Sequence, residues 1–244
     1  SGSSIVVPDG GLTFGSTAIS STAAELNLLD GGTSVGSSIT LADADGIVVN
    51  DGGTMKTIPA SDVKTYAGGL HVLISATDLP SEGTSFTIDN CFSDTYDKYV
   101  VFGERFRTGT NQSNIKVTLR TGGGSGSDGG NNLGGAYQGR RHDGADVDGS
   151  IVNAGDATIV SNAYNDTEFH FMFHVFYPTN TGVNTVFQGK STFREGSTSY
   201  SAFTDFGYLS ISTEDHTGFK ITSSSGNFNS TACRLSVYGI TDGA

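Results

Sequence analysis

Two regimes of hydrophobic patterning divide the chain. From about residue 70 onward, apolar and polar residues alternate with the period of two that a half-buried β-strand requires. Phe86 and Ile88 alternate with Thr87 and Asp89; Ile115, Val117 and Leu119 alternate with Lys116, Thr118 and Arg120. The strongest run is Glu168 to Tyr177, with Phe169, Phe171, Phe173 and Val175 on one face and His170, Met172, His174 and Phe176 on the other. Two apolar faces predict a strand that is central in its sheet or that meets another subunit. Val183–Phe193, Tyr208–Ser212, Phe219–Ser223 and Ala232–Tyr238 bring the expected total to about eight strands. Short strands, few helical windows and Gly-rich loops predict an antiparallel β-sandwich, jelly-roll-like rather than immunoglobulin-like.

Residues 1–69 read differently. Ile5-Val6-Val7, Leu12-Thr13-Phe14, Ile39-Thr40-Leu41 and Ile47-Val48-Val49 are brief clusters bounded by Asp-Gly or Gly-Gly turns. Two short helices are expected. One follows the capping box in Ser21-Thr22-Ala23-Ala24-Glu25 and runs through Leu26, Leu28 and Leu29; the other spans Pro59 to Tyr66 and stops at Gly68-Gly69. Such elements are too small for a core of their own. The expectation is a thin oligomeric stem over 1–69, a β-sandwich head over 70–244, and a Gly/Asp-rich insertion at 121–149 within the head.

Composition sharpens this picture. Hydrophobic residues are 35% of the chain and Gly contributes 35 residues, so part of the chain is extended or completed by partner copies. A net charge of −12 disfavours nucleic acid and anionic membrane as partners, while leaving bound Ca²⁺ compatible. No apolar run approaches the ~18 residues that span a bilayer. Cys91 and Cys233 fit no metal spacing; they read as buried small hydrophobes, with a single bridge as the alternative.

Three phrases carry a resemblance. The first is Ser21-Thr22-Ala23-Ala24-Glu25-Leu26-Asn27-Leu28-Leu29-Asp30-Gly31. The second runs from Ala42-Asp43-Ala44-Asp45-Gly46 through Asp51-Gly52-Gly53-Thr54-Met55-Lys56-Thr57-Ile58, just ahead of the second helix. The third pairs Phe92-Ser93-Asp94-Thr95-Tyr96-Asp97-Lys98-Tyr99 with the ending Ser223-Ser224-Ser225-Gly226-Asn227-Phe228-Asn229-Ser230-Thr231 and Leu235-Ser236-Val237-Tyr238-Gly239-Ile240. Together they cover about a fifth of the chain and resemble tail fibres and related appendages of tailed bacteriophages of the marine type. The resemblance implies a virion surface protein, usually a homotrimer. Its stem would meet other virion proteins and its C-terminal head a host surface glycan or receptor during adsorption. It brings no catalytic residues. Long fibres repeat the Leu-Asn-x-Leu-Asp-Gly phrase and this chain has it once, so a head fibre or capsid decoration stands as the alternative.

The residues with chemistry to offer are few. The richest recognition surface is Tyr137, Gln138, Arg140, Arg141 and His142, on an expected loop, with Tyr164-Asn165-Asp166 and Tyr200-Ser201-Ala202-Phe203 as weaker companions. Aromatic rings stack on sugars, and guanidinium groups grip carboxylates. The bland alternative is that both Arg residues pair with nearby Asp and Tyr137 packs inward. Asp143, Asp146 and Asp148 are the best Ca²⁺ candidates; the Asp43/Asp45/Asp51 set and the single Gly123–Asp128 nonapeptide read as turns and loop. His170 and His174 share a side of their strand but lie ~13 Å apart, too far for one metal, although copies of one His could converge on a threefold axis. The six Glu residues sit in no phrase that suggests a catalytic pair, and no nucleophile elbow or phosphate loop appears. The expectation is therefore a non-enzymatic protein without a required cofactor, with a polysaccharide-depolymerising spike as the third reading.

Overall fold

The computed structural model describes residues 6–8, 11–22, 40–67, 71–78, 83–122, 127–130, 132–165, 167–196, 200–229 and 233–241. The chain divides into two compact units, Ser1–Ala67 and Gly68–Ala244.

In the first unit, β1 (Thr13–Phe14) pairs with β2 (Thr17–Ala18), and β3 (Gly46–Asp51) pairs with β4 (Thr54–Pro59) before the helix α1 (Ala60–Ala67). The β3–β4 turn follows from Asn50-Asp51-Gly52-Gly53. Asp51 pairs with Thr54, which leaves two loop residues, and both glycines take positive φ, 58° and 95°. That backbone matches the twist of a hairpin, and side chains rarely adopt it. The Asn50 side-chain oxygen accepts the Gly53 N–H at 2.7 Å, and Asp45 caps the Ala42 N–H at 2.7 Å, so these residues act as turn formers. The strands expected at Val6-Val7 and Thr40-Leu41 do not form there: Val6 and Leu41 are exposed, and neither stretch joins a ladder among the described residues. Ile5, Ile39 and residues 23–30, which include most of the first expected helix, lie outside the described residues. Ala60 is the buried apolar residue of the described part, while Phe14, Val48, Met55 and Tyr66 face outward.

The second unit is an all-antiparallel sandwich. Its strands are β5 (His71–Asp78), β6 (Ser85–Ile88), β7 (Lys98–Phe106), β8 (Ser113–Thr121), β9 (Ser127–Asp128), β10 (Leu133–Arg141), β11 (Asp146–Ala154), β12 (Ala157–Ala163), β13 (Phe169–Phe176), β14 (Val186–Glu195), β15 (Tyr200–Ser210), β16 (His216–Ser223) and β17 (Arg234–Ile240). One sheet begins in the order β5-β17-β7-β13; the other runs β6-β16-β8-β12. Chain neighbours thus occupy the same rank in the two sheets: β5 with β6, β17 with β16, β7 with β8, β13 with β12. That is the order of a long hairpin rolled into a jelly roll, as the alternation predicts.

Two insertions enlarge the first sheet. β10 and β11 enter between β8 and β12, and β14 and β15 between β13 and β16, so the sheet continues as β14-β15-β10-β11. The stretch 121–149, expected as an insertion of loop, is therefore mostly hairpin. Its Gly and Asp content conceals an alternation in which Leu133, Gly139 and Val147 are buried while Gln138, Arg140, Asp146 and Asp148 are exposed. Gly139 and Gly149 there permit close approach of neighbouring groups, while Gly144 supplies the positive φ of the turn. Asp128, at the edge of the same stretch, is ion-paired to Arg120 and Lys220, and its hydrogen bond from Lys220 holds its carboxyl below the usual range.

The extension curls over β12, which keeps a ladder with β8 along one edge. Its other edge is met mainly by side-chain hydroxyls. Ser191 donates to the Ile159 carbonyl at 2.7 Å and accepts from the Thr204 hydroxyl at 2.6 Å, and Tyr208 donates to the Thr158 carbonyl at 2.5 Å. Buried carbonyls need such partners, because an unmade bond costs about 1–3 kcal/mol. β13 is central, flanked by β7 and β14; Phe169, Phe171, Phe173 and Val175 enter the core, and its His170/Met172/His174/Phe176 face looks outward. Cys91 and Cys233 are both buried thiols.

One buried histidine makes the fold acid-sensitive. His216 is 2% exposed; its Nδ1 lies 2.9 Å from the Thr185 hydroxyl, and its backbone N–H donates to the Pro178 carbonyl at 2.8 Å. Burial pushes its pKa down, against a partial offset from Glu214 and Asp215. A group with a depressed native pKa stays neutral in the fold while the unfolded chain takes up a proton. The stability it contributes is complete above the unfolded value of about 6.5 and is lost as pH falls toward the native one. The urea midpoint is expected to fall between pH 7.5 and pH 5.5, and to fall less in His216→Asn. Equal falls in both proteins would contradict the assignment.

Candidate functional site

The tip of the β10–β11 hairpin carries the densest recognition chemistry. Arg141 N–H donates to the Ala145 carbonyl at 2.9 Å and Gly144 N–H to the Arg141 carbonyl at 3.0 Å, with Gly144 at φ 88°. Asp143 closes the turn by accepting the Ala145 N–H at 3.1 Å, a bond that, with Arg141, holds its carboxyl below the ordinary range.

Strand alternation then sorts the neighbouring side chains onto two sides of the sheet. Arg140 and His142 face outward beside Ser201 and Phe203 of β15 and Thr192 of β14; Arg140 pairs with Phe203, and Phe203 with Thr192, across adjacent strands. Together they border an open depression of about 310 Å³. Phe203 is 52% exposed at its centre. Arg140 is braced by the Gly144 carbonyl at 3.3 Å and by Asp146 at 3.5 Å, and His142 Nδ1 accepts the Ser201 N–H at 3.1 Å.

Arg141 also lines the depression, but its guanidinium is held by its neighbours. It pairs with Asp143 at 3.0 Å and with the largely covered Glu195 at 3.4 Å, and its guanidinium lies 4.8 Å from the Tyr200 ring centroid. Tyr200 is also in ring contact with His142, at 5.2 Å. This cluster positions the turn from beneath, and Arg141 acts as a brace.

The expected recognition residues therefore separate. Arg140, Arg141 and His142 all line the depression, and Tyr200 contacts Arg141 and His142 beside it. Gln138 is exposed one row along, opposite Asp205 and Asp148. Tyr137 turns inward, its hydroxyl 3.4 Å from Ser161 and its ring over Gly149. Tyr164 holds Arg194 over its ring at 4.5 Å. All of these residues lie on strands or the tight turn, rather than on the long loop the sequence suggests, apart from Tyr164 just beyond β12. Thr192 is a member that sequence reasoning passed over; its only signal is its place opposite the buried Ser191 and Phe193 in the alternation of β14.

Asp143 and Asp146 are engaged by Arg141 and Arg140, and Asp148 faces outward across from Gln138. Among the described residues, no group of three His, Cys, Asp or Glu is arranged to hold a metal ion. What the depression offers is an exposed aromatic face, a braced guanidinium, an imidazole and two hydroxyls, which is chemistry for holding a polar ligand with one apolar face.

No protein-family model matches the chain, and no curated protein matches it.

Proposed function

We propose that this protein is a virion fibre subunit of a tailed bacteriophage, acting by binding rather than catalysis, whose β-sandwich head holds a glycan of the host surface in the depression around Phe203. The observation that carries the binding reading is Phe203, half-exposed on a sheet face between Arg140 and Thr192. A half-exposed ring among hydrogen-bonding groups suits a sugar, which presents an apolar C–H face and a rim of hydroxyls. The virion assignment rests on the three phrases in 21–31, 42–58 and the paired 92–99 and 223–240 segments. The outward-facing Phe14, Val48, Met55 and Tyr66 of the first unit support a homotrimer, in which further copies or other virion proteins would cover them.

The test is titration of the full chain with surface polysaccharides purified from a panel of bacterial strains. Binding to at least one is expected, with Phe203→Ala weakening it about tenfold, which corresponds to ~1.5 kcal/mol of lost ring burial. The melting temperature should stay unchanged, because the ring packs little of the core. Unaltered affinity in the variant would remove Phe203 from the site, and release of new reducing ends would replace binding by catalysis.

A further inference from the structure

The depression around Phe203 does not end at Thr192. The same residue borders a second depression of about 260 Å³, whose outward side chains are Phe102 and Glu104 of β7, His170 and Met172 of β13, and Lys190 of β14. Strand register aligns the two. Asp146, Arg140, Phe203, Thr192 and His170 are successive cross-strand partners, and Glu104 lies next in the row on β7. The row crosses the strands at right angles. Five neighbouring strands, β10 to β7, give four steps of ~4.8 Å, or about 19 Å.

We infer that these two depressions form one continuous trough that binds an elongated segment of a linear polysaccharide, three or more sugars long, rather than a terminal sugar. This rests on the glycan reading above and specifies its ligand. One inter-strand step is about the advance of one sugar in an extended chain, so successive rings would meet Arg140, Phe203, Thr192 and His170 in turn. Apolar floor alternates with polar flank: Phe203, Met172 and Phe102 lie beside Lys190, Asp205 and Gln138, and Lys190 and Asp205 are themselves paired at 2.9 Å. Such paired charges suit an uncharged or weakly charged polymer better than a strongly ionic one.

The alternative occupant, an extended peptide, would need free backbone groups to pair with. Here the floor strands β13, β14 and β15 each have ladders on both sides, so their N–H and C=O groups are already spent. A sugar chain needs only the side chains that project.

The experiment uses the full chain and oligosaccharides of one to six sugars, cut by partial acid hydrolysis from a polysaccharide found to bind in the strain panel. Affinity is expected to rise with each added sugar up to about four and then level. His170→Ala, at the end remote from Phe203, is expected to weaken the six-sugar ligand about tenfold. A plateau already reached at one or two sugars, or an unchanged six-sugar affinity in His170→Ala, overturns the trough and leaves glycan binding standing. Absence of binding to every polysaccharide in the panel overturns both.

Discussion

Replacing Phe173 by Ala is expected to lower the unfolding free energy of the sandwich by about 3–5 kcal/mol. The ring is fully buried and has aromatic neighbours on several sides. Phe171 and Phe187 lie 6.2 and 6.1 Å away centroid to centroid, Phe206 lies at 6.4 Å, and Phe219 meets it edge-on at 5.7 Å. Phe219 belongs to β16 in the opposite sheet, so Phe173 is one of the rings that tie the two layers together. Ala would remove the buried area and leave a cavity that four aromatic rings cannot close without abandoning their own contacts. A typical domain is stable by only about 5–15 kcal/mol, so this loss removes roughly a fifth of the total at the least. Chemical denaturation is the measurement. Phe173→Leu, which keeps much of the volume, should lose clearly less. A shift below about 1 kcal/mol for the Ala variant would mean that the ring does not bridge the layers as described.

The second large effect is expected at Gly139, where fold and candidate site meet. Gly139 stands opposite Thr204 in β15 and Val147 in β11. A Cβ added there would lie 1.8 Å from the Phe203 carbonyl oxygen and 2.7 Å from the Thr204 methyl. The nearer atom is backbone in a paired strand, so relief requires β10 and β15 to separate. Gly139→Val is therefore expected to cost about 3 kcal/mol by the ordinary scale of overpacking. It should also weaken glycan binding more than Phe203→Ala does, since it disturbs the register that sets Arg140 beside Phe203. Denaturation midpoints and polysaccharide titration on the same preparation check both halves. Wild-type stability in the Val variant would show that the two strands are not held in this close approach.

Much of this molecule is legible without coordinates. Period-two alternation marks Phe86–Ile88, Ile115–Arg120 and Phe169–Phe176, and each is strand in the structure. Asp51-Gly52-Gly53-Thr54 announces its hairpin because only glycine takes two positive φ values cheaply. The Pro59–Tyr66 helix appears as Ala60–Ala67. The strand over 169–176 is central in its sheet, as one of the two expected readings had it, but its second apolar face is left looking outward.

Less legible is the stretch 121–149. Its Gly and Asp residues are those of a loop, yet in the sheet the same glycines permit strands to approach, as Gly139 does, and the same Asp residues form the exposed row of an edge strand. The candidate site was half visible for a related reason. Arg140 and Arg141 are equivalent in sequence and both line the depression, but adjacent strand residues point to opposite sides, so Arg141 alone of the two is held by Asp143, Glu195 and Tyr200. Thr192 and His170 join the row only through pairing between strands far apart in the chain.

The all-β character, the periodicity of the strands and the chemistry of the turns can be read from the residues alone, because they depend on neighbours a few positions apart. That two insertions extend one sheet around β12, and that Arg140, Phe203, Thr192 and His170 fall in one row, is visible only in the folded chain. The physical reason is that alternation fixes which face a residue takes but not which strand lies alongside; that choice is made by closing a shared core and satisfying buried backbone groups across the whole unit.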